Sequence, residues 1–143
     1  MDDTQIDLVQ RSFAAIRGRA SQLAGSLYQR LFEIDPSLRS MFPTDMAAQQ
    51  QKLMDELTII VERLTDVAAL ADRSLDLGRR HREYGVEPQH YVVLRDALLF
   101  ALAEVMEVPL DDATSLAWRR AYNLIAEVMM HGASHGRQSS PAP

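Results

Sequence analysis

The amino-acid sequence has no cysteine among its 143 residues and only six glycines. Without cysteine the chain has no disulfide, no thiolate metal ligand and no cysteine nucleophile. The glycines are scattered, which excludes a glycine-rich phosphate-binding loop. No apolar run is long enough to cross a bilayer, and the acidic, polar start of the chain is unlike a signal or transit peptide. We therefore expect a cytoplasmic protein without a membrane partner.

Concentrated charge and metal-ligand clusters are also missing. The formal net charge is -5 with both signs interspersed, so the sequence gives no reason to expect nucleic acid as a partner. Of the four histidines only His131 and His135 have a helical i, i+4 spacing, and both lie at or in the predicted tail, where we expect them to be solvated; no carboxylate cluster predicts a di-iron site. No Ser-His-Asp motif is present. If the chain supports chemistry, a bound cofactor must supply most of it.

Helical periodicity is the pattern that is present. Apolar residues recur at helical spacing from residue 6 to residue 129, and no segment alternates as a strand does. The sequence therefore predicts an all-α domain over residues 1–131, with about six or seven helices, and a flexible tail over residues 132–143. Prolines at the corners, such as Pro36 and Pro88, are placed to start helices. Gly25 lies where we expect another helix to cross closely.

The segment 77–91, LGRRHREYGVEPQHY, contains the most informative histidine. Leu77, His81 and Tyr84 share one helical face, and Gly85 suits the end of that helix because glycine tolerates positive φ. Tyr91, on the next helix, is able to fold back toward His81. From these residues alone a structural role and a ligand role for His81 both remain open.

Four segments, in this order, resemble the bacterial single-domain globins and the globin half of flavohaemoglobins. They are LYQRLFEIDPSLRSMFP, QQQKLM, LGRRHREYGVEPQHYVVLRDALL and AWRRAYNLIAEVM. The resemblance covers the chain from about Thr4 to Met130. It implies a globin fold, a three-over-three helical sandwich around haem b.

The resemblance also implies residue roles around the haem. His81 is the proximal ligand, which gives its neutral Nε2 to the iron. Phe42 packs on the porphyrin face. Tyr28 is the distal tyrosine that donates to bound O2, Gln49 is a second polar group facing the ligand, and Leu53 walls the pocket.

Three further residues are expected at the haem edge or near the propionates. Val86 is expected to contact the haem edge, and Lys52 and Arg80 to pair with the propionates. For Lys52 and Arg80 a role as solvated surface charge is an equal alternative.

On the proximal side, the resemblance predicts an incomplete charge relay. Members of the flavohaemoglobin type support the proximal histidine with a tyrosine and a glutamate. Tyr91 matches the tyrosine, but the glutamate position falls on Ala133, and Glu127 matches a different position. The sequence therefore favours an ordinary neutral His81 and reversible ligand binding.

The expected function is reversible binding of O2, and also of CO and NO, at a pentacoordinate or weakly hexacoordinate iron, for oxygen binding or transport. The alternative is an NO dioxygenase or peroxidase-like enzyme that works with a separate reductase, because no flavin or NAD segment follows the globin segment. A haem redox protein or gas sensor, with Tyr28 or Gln49 on the iron, and a haem-free helical bundle are further alternatives. We expect a monomer or a homodimer.

Overall fold

The structure is a computed structural model that describes residues 1–138, with the backbone alone for 135–138. Over this range it contains helices and no strand, which confirms the all-α prediction. The helices are α1 (Asp3–Ile16), α2 (Ala20–Ile34), α3 (Met46–Glu62), α4 (Val67–Glu83), α5 (Pro88–Met106) and α6 (Ala113–Gln138). Three short 3-10 turns, Arg17–Arg19, Pro36–Met41 and Arg63–Thr65, connect them.

Aspartate residues cap the starts of α1, α3 and α4, and a glycine follows the end of α4. Asp2 accepts from the Gln5 amide, and the Gln5 side chain accepts in return from the Asp2 amide. Asp45 and Asp66 cap α3 and α4 by accepting from the Ala47 and Ala69 amides, without a reciprocal bond. Gly85 has a φ of 87°, as predicted for the chain leaving α4.

The core is formed where α2 packs on α5 and where α1 and α4 pack on α6. Its most buried side chains are Val9, Leu23, Leu27, Leu31, Leu102 and Val105. Trp118 ties α6 to α1: its ring lies 6.1 Å from that of Phe13, and its Nε1 donates to Ser12 Oγ at 2.9 Å. This arrangement leaves α3 in contact with the core along one edge and free to line a site along the other.

Two sequence predictions about packing are wrong. A Cβ on Gly25 would meet nothing within 4 Å, so no helix crosses there. Apolar spacing also predicts a buried stripe along α3 that consists of Leu53, Leu57, Ile60 and Leu64. Leu64 is buried, but the other three are only partly buried, while Met54 and Val61 face the core. Periodicity shows which side chains share a face, but it does not show what covers that face.

The last helix is longer than predicted. α6 continues to Gln138, so residues 132–138 of the predicted tail are helical, and residues 139–143 lie outside the described residues. The domain boundary at residue 131 stays a prediction. In the described part of the chain, no helix combines the length and the apolar character needed to span a membrane.

Candidate functional site

The buried apolar residues form two separate clusters, and α3 passes along both. The larger cluster is the main core, and the smaller one consists of Leu77, Tyr91, Ala126 and Met129. Leu53 and Leu57 pack against the first cluster, whereas Ile60, further along α3, packs against the second. Leu53, Leu57 and Ile60 therefore leave partly exposed apolar surface along α3, beside α4, whose Arg73 is bonded to Glu56 of α3. We call this apolar surface between the two helices the crevice, and such surface is suited to an apolar ligand.

A polar pair, of the buried Tyr28 and the partly buried Gln49, lies on the α2–α3 side of this crevice. Gln49 Nε2 donates to the Tyr28 hydroxyl oxygen at 3.2 Å. Because the oxygen accepts this bond, the Tyr28 O–H is left to donate to a ligand. Burial raises the pKa of Tyr28 above its usual value of 10.0, and the bond from Gln49 lowers it by less. The Tyr28 hydroxyl is therefore a neutral donor at physiological pH.

Three aromatic rings hold this side together. Phe42 packs edge-on against Tyr28 at 5.5 Å and against Phe32 at 5.7 Å between ring centroids. Arg39 donates to the carbonyl oxygens of Phe42 and Pro43, at 3.4 and 3.0 Å, and to that of Thr44 at 3.2 Å. Its guanidinium also lies 5.6 Å from the Phe32 ring. Arg39 therefore fixes the loop that presents Phe42.

His81 lies near the end of α4, on the other side of the crevice. Its Nδ1 is 2.7 Å from the Leu77 carbonyl oxygen. A carbonyl only accepts, so Nδ1 carries a proton, and in the neutral imidazole Nε2 then keeps its lone pair. Nε2 has no hydrogen-bond partner among the described residues. The next corner is tied back to the same residue, since the Val86 amide donates to the His81 carbonyl at 3.0 Å.

Tyr91 is buried behind this helix end, beside an open cavity of about 680 Å³ that Val86, Ala133 and Ser134 also line. Burial raises the pKa of Tyr91. Its hydroxyl makes no hydrogen bond within the described part of the chain, although its backbone carbonyl accepts from Tyr122 at 2.6 Å. Ala133 thus shares the cavity with Tyr91 and supplies no carboxylate to it, whereas Glu83 and Glu87 of the α4–α5 corner also line this cavity.

The two predicted propionate partners differ in their surroundings. Lys52 is exposed on α3 and has no ion pair among the described residues. Arg80 Nε lies 3.2 Å from Asp76 Oδ2, on its own helix, but is not aligned for a hydrogen bond to it. Lys52 is therefore the more available cation.

Sequence reasoning missed three structural contributions to the site. Arg39 and Phe32 support Phe42, as described above. Arg73 of α4 forms a two-point ion pair with Glu56 of α3, with N–O distances of 2.6 and 2.9 Å, and so joins the two helices beside the crevice. The i, i+4 spacing of Tyr28 and Phe32 is the single sequence signal that pointed to any of them.

The donor set is suited to a haem rather than to a bare metal ion. Among the described residues, no group of three or more His, Asp or Glu side chains comes together to hold a metal. A single imidazole with an unprotonated Nε2, beside a row of apolar and aromatic side chains, supplies what an iron porphyrin needs from a protein: one axial ligand and an apolar surface.

Comparisons with known proteins agree with this geometry. The globin family model matches residues 25–129. The chain is 23% identical over 137 residues to the flavohemoprotein of Bacillus subtilis (strain 168), with 91% of this chain covered. It spans 33% of that protein, or about a third of its length. The neuroglobin of Tetraodon nigroviridis is 29% identical, and the match covers 74% of this chain and 76% of that protein. The neuroglobin of Danio rerio is 28% identical, and the match covers 80% of this chain and 81% of that protein.

Two solved structures share the fold, each with a TM-score of 0.84 and 96% of this chain covered. One is a bacterial globin from Campylobacter jejuni, 20% identical and covered over 100% of its length. The other is an engineered carbene transferase, a putative nitric oxide dioxygenase from Rhodothermus marinus, 22% identical and covered over 96%. The family match over most of the chain, together with this common fold, leads to one conclusion: the chain belongs to the globin family.

Proposed function

We propose that this globin holds haem b in the crevice between α3 and α4 and binds O2 reversibly, and also CO and NO. The observation that carries the proposal is the 2.7 Å contact between His81 Nδ1 and the Leu77 carbonyl, which leaves Nε2 as the axial ligand. The haem supplies the iron chemistry when bound. Because the chain has no cysteine, the haem is not attached through thioethers, which supports type b.

The apolar side chains of the crevice are proposed to hold the macrocycle. Phe42 packs on its face, Leu53 walls the pocket above it, and Val86 touches its edge. All three are partly buried in the structure, as expected for side chains whose remaining surface a ligand covers. Lys52 is the preferred propionate partner, and Arg80 is a weaker candidate because Asp76 lies beside it.

Tyr28 is proposed to stabilise O2 in the pocket. Its hydroxyl accepts from Gln49 and keeps its own proton for a ligand, and a net hydrogen bond to a polar ligand is worth roughly 1–3 kcal/mol. Since about 1.4 kcal/mol corresponds to a factor of ten, one such bond slows O2 loss roughly tenfold or more. Gln49 orients the hydroxyl and is a second possible partner for the ligand.

The proximal residues favour ligand binding over rapid turnover. An axial histidine becomes more electron-donating when a carboxylate accepts its ring proton, directly or through other groups. Here the His81 ring proton goes to a neutral carbonyl, and Ala133 places no carboxylate beside Tyr91. His81 is therefore proposed to stay a neutral ligand.

NO dioxygenation is the second candidate, favoured by the hydrogen-bonded Tyr28–Gln49 pair and by the likeness to a flavohemoprotein and to a putative nitric oxide dioxygenase. Each cycle would consume one NO, one O2 and one electron, so sustained activity requires a reductase as partner.

Turnover with NO separates the two functions. The oxygenated protein is mixed with successive equivalents of NO in the presence of a reductant and a flavin reductase, and nitrate is counted per haem. An oxygen-binding protein forms about one nitrate and then stops, while repeated removal and readmission of O2 returns the same oxygenated spectrum. Many nitrates per haem at an undiminished rate would establish the enzyme instead.

A further inference from the structure

Two glycines bring the backbones of α4 and α6 into direct contact. A Cβ built on Gly78 of α4 would lie 1.9 Å from the Met129 carbonyl oxygen of α6. A Cβ built on Gly132 of α6 would lie 2.5 Å from the Leu75 carbonyl oxygen of α4. The contact is reciprocal, since each helix has a glycine, and so no side chain, at the point where the backbone of the other helix passes. The two helices are therefore held by backbone atoms at two points.

These contacts lie next to the group that orients His81. Gly78 follows Leu77, and the Leu77 carbonyl holds the His81 ring through Nδ1 at 2.7 Å. Leu77 and Met129 also belong to the same small apolar cluster. A continuous path of backbone contacts thus runs from α6 to the Leu77 carbonyl and from there to the imidazole.

We propose that Gly78 and Gly132 are positioning residues that fix the place of the His81 ring in the haem crevice, and through it the ligand affinity. The proposal rests on the haem-binding function proposed above. Neither glycine is expected to touch the haem or its ligand. Their effect passes through the position of α4 on α6.

A backbone contact is well suited to this task. A helix interface made of side chains adjusts to a substitution by changing rotamers, whereas two backbones in contact have no flexible atoms between them. Real Cβ atoms essentially never come within 3.0 Å of such neighbours, so an alanine at residue 78 forces α4 and α6 apart by roughly 1 Å. Displacements of about 1 Å are large for a group that must meet a reaction centre.

Helix propensity supports a specific need for glycine here. Glycine in a helix interior is less favourable than alanine, and both residues lie well inside their helices. Gly25 provides the internal comparison, because it also lies inside a helix but has open space around its missing Cβ. The steric requirement therefore holds at Gly78 and Gly132 and not at Gly25.

The test compares Gly78→Ala and Gly132→Ala with the control Gly25→Ala and the unchanged protein, all loaded with haem. Resonance Raman spectra of the reduced, ligand-free proteins report the iron–histidine stretching band, which a purely structural role would not shift. CO binding measured in the same samples reports affinity. We expect a displaced or broadened band for Gly78→Ala and a change in CO affinity of about tenfold, the lower end of the effects of residues that orient metal ligands. Gly132→Ala has a smaller effect of the same kind, and Gly25→Ala has none.

Folded, haem-loaded Gly78→Ala with an unchanged iron–histidine band and unchanged CO affinity would overturn the proposal. If Gly78→Ala does not fold, Gly132→Ala decides, because its overlap is milder and lies farther along the chain from His81. An unchanged band in that variant is equally damaging. Failure of the unchanged protein to bind haem is a different result, which rejects the proposed function itself.

Discussion

On the α2–α3 side of the crevice, side chains contact side chains, whereas on the α4 side, backbone contacts backbone. Tyr28 is held by Gln49 and Phe42, and Phe42 in turn depends on the clamp of Arg39 on its loop. His81 is held by a carbonyl of its own helix, and that helix is seated on α6 through glycine.

This difference separates two properties of the site. Substitutions on the α2–α3 side change the polarity that a ligand meets without moving a helix. Substitutions at the α4–α6 contact move the helix without changing any group that a ligand meets. The first side is expected to control ligand dissociation, and the second to control the iron ligand itself.

Loss of His81 is expected to have the largest effect, because it removes the proposed iron ligand on the α4 side. His81→Ala should abolish the specific haem spectrum or replace it with that of loosely held haem, and imidazole in solution should restore part of it. The control is His90→Ala, since His90 accepts from the Glu87 amide at the start of α5 at 2.9 Å. An unchanged reduced spectrum for His81→Ala would mean that another residue ligates the iron.

Tyr28→Phe tests the α2–α3 side and ranks second. It removes the proposed donor and keeps the ring that packs on Phe42, so the O2 dissociation rate should rise about tenfold or more. Stopped-flow displacement of O2 by CO measures this rate. An unchanged O2 dissociation rate would mean that Tyr28 does not stabilise bound O2. The iron–histidine stretching band of Tyr28→Phe is expected to stay where it is in the unchanged protein.

The same donor gives a pH prediction. Burial raises the pKa of Tyr28 above 10.0, so the hydroxyl keeps its proton as the pH rises toward that value and loses it only beyond. The O2 dissociation rate should therefore be flat between about pH 6 and 9. If the O2 dissociation rate changes with pH within this window in the unchanged protein but not in Tyr28→Phe, the pKa of Tyr28 is lowered instead of raised.

Gln49→Leu is expected to have a smaller effect than Tyr28→Phe. The variant removes the bond that orients the Tyr28 hydroxyl but leaves the hydroxyl able to donate. A typical net hydrogen bond of about 0.5–1.5 kcal/mol corresponds to a change in the O2 dissociation rate of roughly two- to tenfold. A loss greater than that of Tyr28→Phe would reverse the roles of the two residues.

Glu56→Gln tests the link between the two sides and should have the smallest effect. The ion pair with Arg73 joins α3 to α4, but about a third of the Arg73 side chain and a quarter of that of Glu56 are exposed, at 32% and 23%. We expect a loss of about 1 kcal/mol or less in the free energy of unfolding, measured by urea denaturation. The control is Asp7→Asn, which breaks the more exposed pair with Arg11 within α1. Equal losses for both variants would show that the α3–α4 pair has no special role.

Local sequence signals predicted the corners of the fold correctly. Pro36 and Pro88 stand at the first positions of their helical segments, and Gly85 takes the positive φ expected after α4. These residues act through their own backbone preferences, so their effect is readable without knowledge of distant parts of the chain.

Residue roles that depend on contacts with a distant part of the chain could not be predicted from the sequence. Gly25 and Gly78 look alike in the sequence, since each lies within a helical pattern, and only the packing of α4 on α6 shows which one must be glycine. In the sequence Arg39 cannot be distinguished from other surface cations, because its bonds to the Pro43 and Thr44 carbonyls depend on how the loop after Phe42 folds. The roles of Tyr28, Gln49 and His81 came from the family resemblance, and they remain predictions that the geometry supports.

The absorption spectrum of the purified protein, in the ferric state, after reduction with dithionite and then under CO, tests the central claim most directly. We predict a Soret band at one haem per chain that shifts on reduction and shifts again with CO, which means haem on His81 with an accessible second axial position. A haem-supplemented protein that gives no specific band would contradict the claim, and only the helical fold would survive.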